Sequence, residues 1–215
     1  MNLQRPLNRP PPPEHVFHTS LRLFALVEVQ PPGARNPIEV ACMKMHDRDE
    51  GMMAYISVLD AALDCHIWNR GGRRYTILPF TEIDPRSFIN AHDGWFTIHL
   101  IYGIAAHQNR LMLNPEGDVQ ALPVANHFQV ADDFGAALTI QFHESVHTNI
   151  ETLYSRAGLN ASSWLDEMSQ WTPAEAMRYA LEAREKIKRP LTGAAGITQC
   201  AFYDPIEQHW RFANM

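Results

Sequence analysis

His143 and His147 stand four residues apart with Glu144 beside the first, in the segment Phe142-His143-Glu144-Ser145-Val146-His147. On a helix, two histidines at that spacing share one face and can hold a single zinc ion. Neutral imidazoles bind zinc without cancelling its charge. The neighbouring carboxylate can take a proton from metal-bound water as that water attacks a carbonyl. A catalytic zinc also needs a third protein ligand and one open position. The longer pattern HExxHxxGxxH is not present, because Leu153 occupies the place of its last histidine. Two carboxylates remain in range: Glu151, one turn beyond His147, and Glu167, further on within Trp164-Leu165-Asp166-Glu167-Met168.

The pairing of HExxH with this second segment resembles the gluzincins, the superfamily of thermolysin-like proteases and of aminopeptidases with a WLNE segment. Tryptophan, leucine and glutamate match, and Asp166 stands where asparagine is usual. The resemblance covers residues from about 138 to 170 and is one of local motif. It implies His143, His147 and Glu167 as zinc ligands and Glu144 as general base. The activity it implies is that of a zinc-dependent hydrolase, most simply a peptidase acting on a peptide or protein. The order of elements described next, a helix, then strands, then a motif helix and a glutamate helix, also resembles the minimal zincin core.

Those residues need elements to position them. Asp132 or Asp133 can cap a helix running to about Ala157, where Gly158 supplies a left-handed stop. Phe142, Val146, Ile150 and Leu153 keep helical spacing through it. Leu138, Ile140 and Phe142 also alternate as in a strand. The difference matters, because the two histidines lie about 6 Å apart on a helix and roughly 13 Å apart on a strand. A short helix capped by Ser163 carries Glu167. The next begins at Thr172-Pro173-Ala174-Glu175, with threonine at the N-cap, proline at the first helical position and glutamate completing a capping box. It ends before Pro190.

Upstream, Leu21 to Gln30 alternates as a strand with one strongly buried face, and Ile38 to Met43 reads as a second strand. Met52, Ile56, Leu59, Leu63 and Ile67 recur at helical spacing. Strands are expected at Arg74 to Phe80, Trp95 to Ala105, Arg110 to Leu113, Val119 to Val130 with an interruption at Pro123, and Ile197 to Phe202. Together these predict an α+β fold, a small mixed or antiparallel sheet with a backing helix, in one domain over residues 19–215. Residues 1–18, rich in proline from Pro6 to Pro13, read as a tail that a protein partner could grip.

Bulk properties narrow the function. The 215 residues carry a net charge of -6, which gives no general pull toward nucleic acid or anionic membrane. Cys42, Cys65 and Cys200 are too few and too scattered for a disulfide framework or a cysteine-rich metal site. No apolar run approaches membrane-spanning length, and the N-terminus lacks a secretory core, so a cytoplasmic location is expected. Cys65 and His66 are neighbours on a helix and therefore face apart. His99 and His107 lack carboxylates at matching spacing, and Tyr154, Tyr179, Tyr203 and His209 are candidate oxyanion stabilisers among which sequence does not choose. Two basic clusters, Arg70-Gly71-Gly72-Arg73-Arg74 and Lys186-Ile187-Lys188-Arg189, support a rival reading: a non-catalytic subunit of a larger assembly that grips nucleic acid or a protein.

Overall fold

The computed structural model describes residues 16–30, 38–45, 49–70, 72–130, 137–192 and 196–215. The proline run lies outside them. The fold is α+β, as expected. Its frame is a mixed sheet organised around one long strand, β7, Trp95–His107, which is almost entirely buried. Before it come β1 (Val16–Thr19), β2 (Phe24–Val29), β3 (Ile38–Val40), β4 (Cys42–Met45), β5 (Asp49–Tyr55), helix α1 (Val58–Asn69), β6 (Tyr75–Pro79) and the short helix α2 (Arg86–Ala91). After it come β8 (Arg110–Leu113), β9 (Ala121–Gln129), β10 (Ala137–Ile140), α3 (Glu144–Arg156), α4 (Ala161–Met168) and α5 (Pro173–Glu185). The short β11 (Leu191–Thr192) and the hairpin of β12 (Gln199–Asp204) and β13 (His209–Asn214) complete it.

Strand β7 runs parallel to β5 and antiparallel to β9, β8 and β12. Pro123 sits inside β9, opposite Ile101, and does not end the strand. Among the described residues β9 pairs only with β7, so the missing N–H faces an unpaired edge, where proline is tolerated. The expected interruption is therefore a feature of an edge strand.

The sheet is covered on both faces. In β2, Phe24 and Leu26 join one apolar cluster with α1 and α5, while Ala25 and Val27 join another with α2, α3 and β10. In β5, Met53 and Tyr55 point to the first cluster and Met52 and Ala54 to the second. This two-sided burial corrects the expected single buried face of β2. It also corrects the helix expected from Met52. Met52 is in β5, Ile56 follows it, and α1 starts only at Val58, capped by Ser57 Oγ, which accepts from the amides of Leu59 and Asp60 at 3.1 and 3.4 Å. A strand buried on both sides is a continuous apolar run, which imitates helical spacing.

The second correction falls on the motif. Residues 137–140 are not helical: they form β10, parallel to β1, with Val16 opposite Ala137 and Thr19 opposite Ile140. The alternation of Leu138 and Ile140 is that of a strand. Val16–Thr19, assigned by composition mostly to the tail, is thus part of the fold. Helix α4 is capped by Asn160, whose Oδ1 accepts from Ser163 N at 3.0 Å, not by Ser163. Helix α5 starts as its sequence predicts, with the Thr172–Glu175 capping box formed in both directions. Among the described residues no helix is long and apolar enough to cross a membrane.

Candidate functional site

The strand-to-helix corner fixes the environment of the HExxH segment. His143 is not on the helix but caps it: its backbone is extended, and its Nδ1 accepts from Ser145 N at 3.2 Å and lies 2.8 Å from Ser145 Oγ. A ring nitrogen that accepts an amide hydrogen carries none of its own, so the proton of neutral His143 sits on Nε2. Neither nitrogen then offers a lone pair to a metal. His147 lies one turn inside α3 with Nε2 3.4 Å from Ser20 Oγ, and that oxygen accepts from Phe142 N at 3.0 Å. The pair ties the end of β1 to the corner. Glu144 is exposed in the first turn of α3, where a carboxylate complements the helix dipole.

Glu167 is exposed on α4, and its neighbour Asp166 reaches Arg22 at 3.8 Å. Among the described residues, no three His, Cys, Asp or Glu side chains are grouped closely enough to hold a metal ion. His143, His147 and Glu167 are all described, so the structure does not bring the three together. A groove of about 500 Å³ does open beside His143 and Glu144, bounded by Asn126, His127 and Phe128 of β9. Its floor is apolar, with Phe128 and Phe142 packed edge to face at 5.3 Å. With His143 Nδ1 committed to the cap and Glu167 not grouped with the histidines, the donor set as placed does not make a zinc site.

Several of the other candidates have structural roles. Tyr154 is buried in the core, Tyr203 donates to Glu182 Oε1 at 2.7 Å, and Tyr179 packs on Trp171. His107 Nδ1 lies 2.9 Å from Thr198 Oγ1. Burial pushes the thiols of Cys42 and Cys65 up to about 11 and that of Cys200 up further, so they stay protonated and unreactive at neutral pH. Cys65 donates to Tyr75 O, and burial together with Arg184 and Arg70 lowers the pKa of His66.

A second region brings together residues that the sequence keeps apart. The β7–β8 turn, the end of α5 and the β12–β13 turn enclose a cleft of about 230 Å³. Its cations are Arg110, Lys186 and Lys188, its apolar wall includes Trp210 and Phe212, and among the described residues lining it none is acidic. Each wall is anchored. Arg110 donates from Nε to Arg189 O at 2.6 Å and from Nη2 to Pro190 O at 3.1 Å, which holds the chain after α5 against β8. Trp210 Nε1 donates to Ala183 O at 3.0 Å, and Lys186 Nζ reaches Gln208 Oε1 at 3.5 Å.

The rim is unusual in its backbone. Five described non-glycine residues have positive φ: Asp93, Gln108, Asn109, Arg189 and Gln208. All but Asp93 belong to the turns around this cleft. Left-handed backbone at a residue with a side chain costs on the order of 1 kcal/mol, and such strain gathers where geometry serves a purpose. Of the two basic clusters of the sequence, the second contributes here. In the first, Arg70 pairs with Asp118, as does Arg184 at 3.7 Å, and Arg73 donates to Tyr75 Oη at 2.8 Å. Arg110 was missed because nothing in the sequence links it to Lys186; its only signal is its place directly after the Gln108-Asn109 turn.

Comparison with known protein families, with characterised proteins and with solved structures finds no match.

Proposed function

We propose that this is a non-catalytic binding protein whose basic cleft grips the phosphate backbone of a nucleic acid. One observation carries the reading: in a chain of net charge -6, Arg110, Lys186 and Lys188 converge on one cleft with no acidic residue in its described lining. Such a local field attracts phosphates despite the acidic whole. Phe212, partly buried and backed by the core residue Trp210, gives the cations an apolar wall of the kind that serves flexible single strands, while Asn109 and Gln208 add amides at the rim. A cytoplasmic setting suits Cys42, Cys65 and Cys200, all of them free thiols.

The zinc-peptidase reading requires His143 to release its cap and Glu167 to approach the corner. We therefore rank it second, supported by the motif and by the groove beside Glu144. The deciding experiment is fluorescence anisotropy with a labelled single-stranded oligonucleotide over a range of salt concentrations. Three cations engaging phosphates predict a log–log salt slope of roughly -2. Failure to bind at low salt, or binding that ignores salt, would overturn the proposal.

A further inference from the structure

Helix α1 carries Asp60 and Asp64 one turn apart, and both are buried, at 3% and 5% exposure. A buried carboxylate requires a cation or several donors to stay charged. Among the described residues Asp64 has one side-chain donor, Tyr55 Oη of β5 at 2.8 Å. No hydrogen bond to the carboxyl of Asp60 is seen among the described residues.

Apart from the positive end of the α1 dipole, in whose first turn Asp60 stands, the surroundings supply little compensation. Asp60 is faced by Asp64 on its own helix, by Tyr55 of β5, by Tyr154 of α3 and by the thiol of Cys200 in β12. The hydroxyl of Tyr154 is itself buried and has no hydrogen-bond partner among the described residues. Helix α5 contributes Ala176, Ala180 and Ala183 to the cluster that contains α1. The nearby cations, Arg70 and Arg184, are both paired with Asp118, a third buried carboxylate whose charge also acts on Asp64.

We propose that Asp60 holds a proton in the folded protein at neutral pH and Asp64 in mildly acidic conditions, and that the pair forms an alkaline release for the seating of α1 against the elements it packs on. Ionisation puts charge into the interior where α1 meets β5, α3 and β12; α5, which packs on α1 and whose end carries Lys186 and Lys188 to the cleft, is reached through α1. The consequence for binding rests on the proposed function of that cleft; the release itself does not. Burial, with the charge of Asp64 added, pushes Asp60 up to about 8. Burial pushes Asp64 up to about 6, against the pull of the Tyr55 hydrogen bond and with the push of Asp118. Both folded values lie above the unfolded one near 4. The folded state therefore binds more protons, and its stability is greatest at low pH and is lost as pH rises through 6 and then 8.

Thermal unfolding from pH 5 to 9 at constant ionic strength tests this on the whole protein without ligand. The melting temperature should fall by about 5 °C or more across the range, and Asp60→Asn should remove most of the fall near pH 8, whereas Asp64→Asn should leave that part in place. An Asp60→Asn protein that loses stability as steeply as the parent would overturn the release. Should Asp60→Asn not fold, carboxyl-carbon NMR of the parent decides: two aspartates must titrate above pH 5, and titration of every aspartate below pH 5 sinks the idea. Oligonucleotide affinity at pH 6 reports on the cleft separately, so loss of one reading is distinguishable from loss of the other.

Discussion

The corner at His143 and the cleft at Lys186 invert each other. At the corner, neighbouring residues of the right types for zinc chemistry are drawn into structural tasks: a helix cap, a dipole-matching carboxylate and a link from His147 to Ser20. At the cleft, residues separated by much of the chain meet because a hairpin, a helix end and a second hairpin fold over one another. The difference teaches that spacing along the chain specifies chemistry only where the secondary structure it assumes actually forms. Because α3 begins at Glu144 and not after Asp132 or Asp133, His143 is a cap where the motif assumed a ligand.

The comparison is most open to attack at the cleft. The double substitution K186E/K188E should weaken oligonucleotide binding at low salt about 100-fold and flatten its salt dependence, measured by the same anisotropy titration. Unchanged affinity would leave the convergence of cations without a purpose. Next in size is the cap. His143→Ala should cost about 1 kcal/mol of stability, read by denaturant titration, while His143→Asp should restore or exceed the parent value because aspartate is a stronger cap and favours the helix N-terminus. A zinc-induced rise in melting temperature that disappears in His143→Ala and His143→Asp alike would instead return the corner to metal chemistry. The smallest effect belongs to Glu167. Its replacement by alanine, on the exposed side of α4, should change stability by less than about 0.5 kcal/mol and leave the response to added zinc as it was. A larger zinc-dependent loss would mean that Glu167 meets the histidines after all.

What the sequence made legible follows the range of the forces involved. The start of helix α5 could be read to the residue because Thr172, Pro173 and Glu175 act on each other within one turn. Strand β7 was visible from its apolar run, which fell short only of Ala106 and His107. The start of α1 was not, because burial of β5 on both faces depends on which helices cover the sheet, a fact absent from Met52 and Ile56 themselves. The corner failed for a related reason: the pairing of β10 with β1 joins Ala137 to Val16 across most of the chain, and that distant partner decided the conformation before His143. The candidate cleft was half legible, since Lys186 and Lys188 were flagged by composition while Arg110 needed the hairpin to reach them.

Strand β7 has a further consequence, for the order in which the protein can be made. Its residues Ile104, Ala105 and Ala106 pair with Ala201, Cys200 and Gln199, about 95 residues later in the chain. While a ribosome is still producing α3, α4 and α5, that stretch of backbone is a strand edge awaiting its neighbour, flanked by some of the most apolar sequence in the molecule. An exposed edge of this kind recruits other chains. The nascent protein therefore passes through a window, closed only when β12 emerges, in which delay favours aggregation, and a chain stopped short of Gln199 would keep that window open.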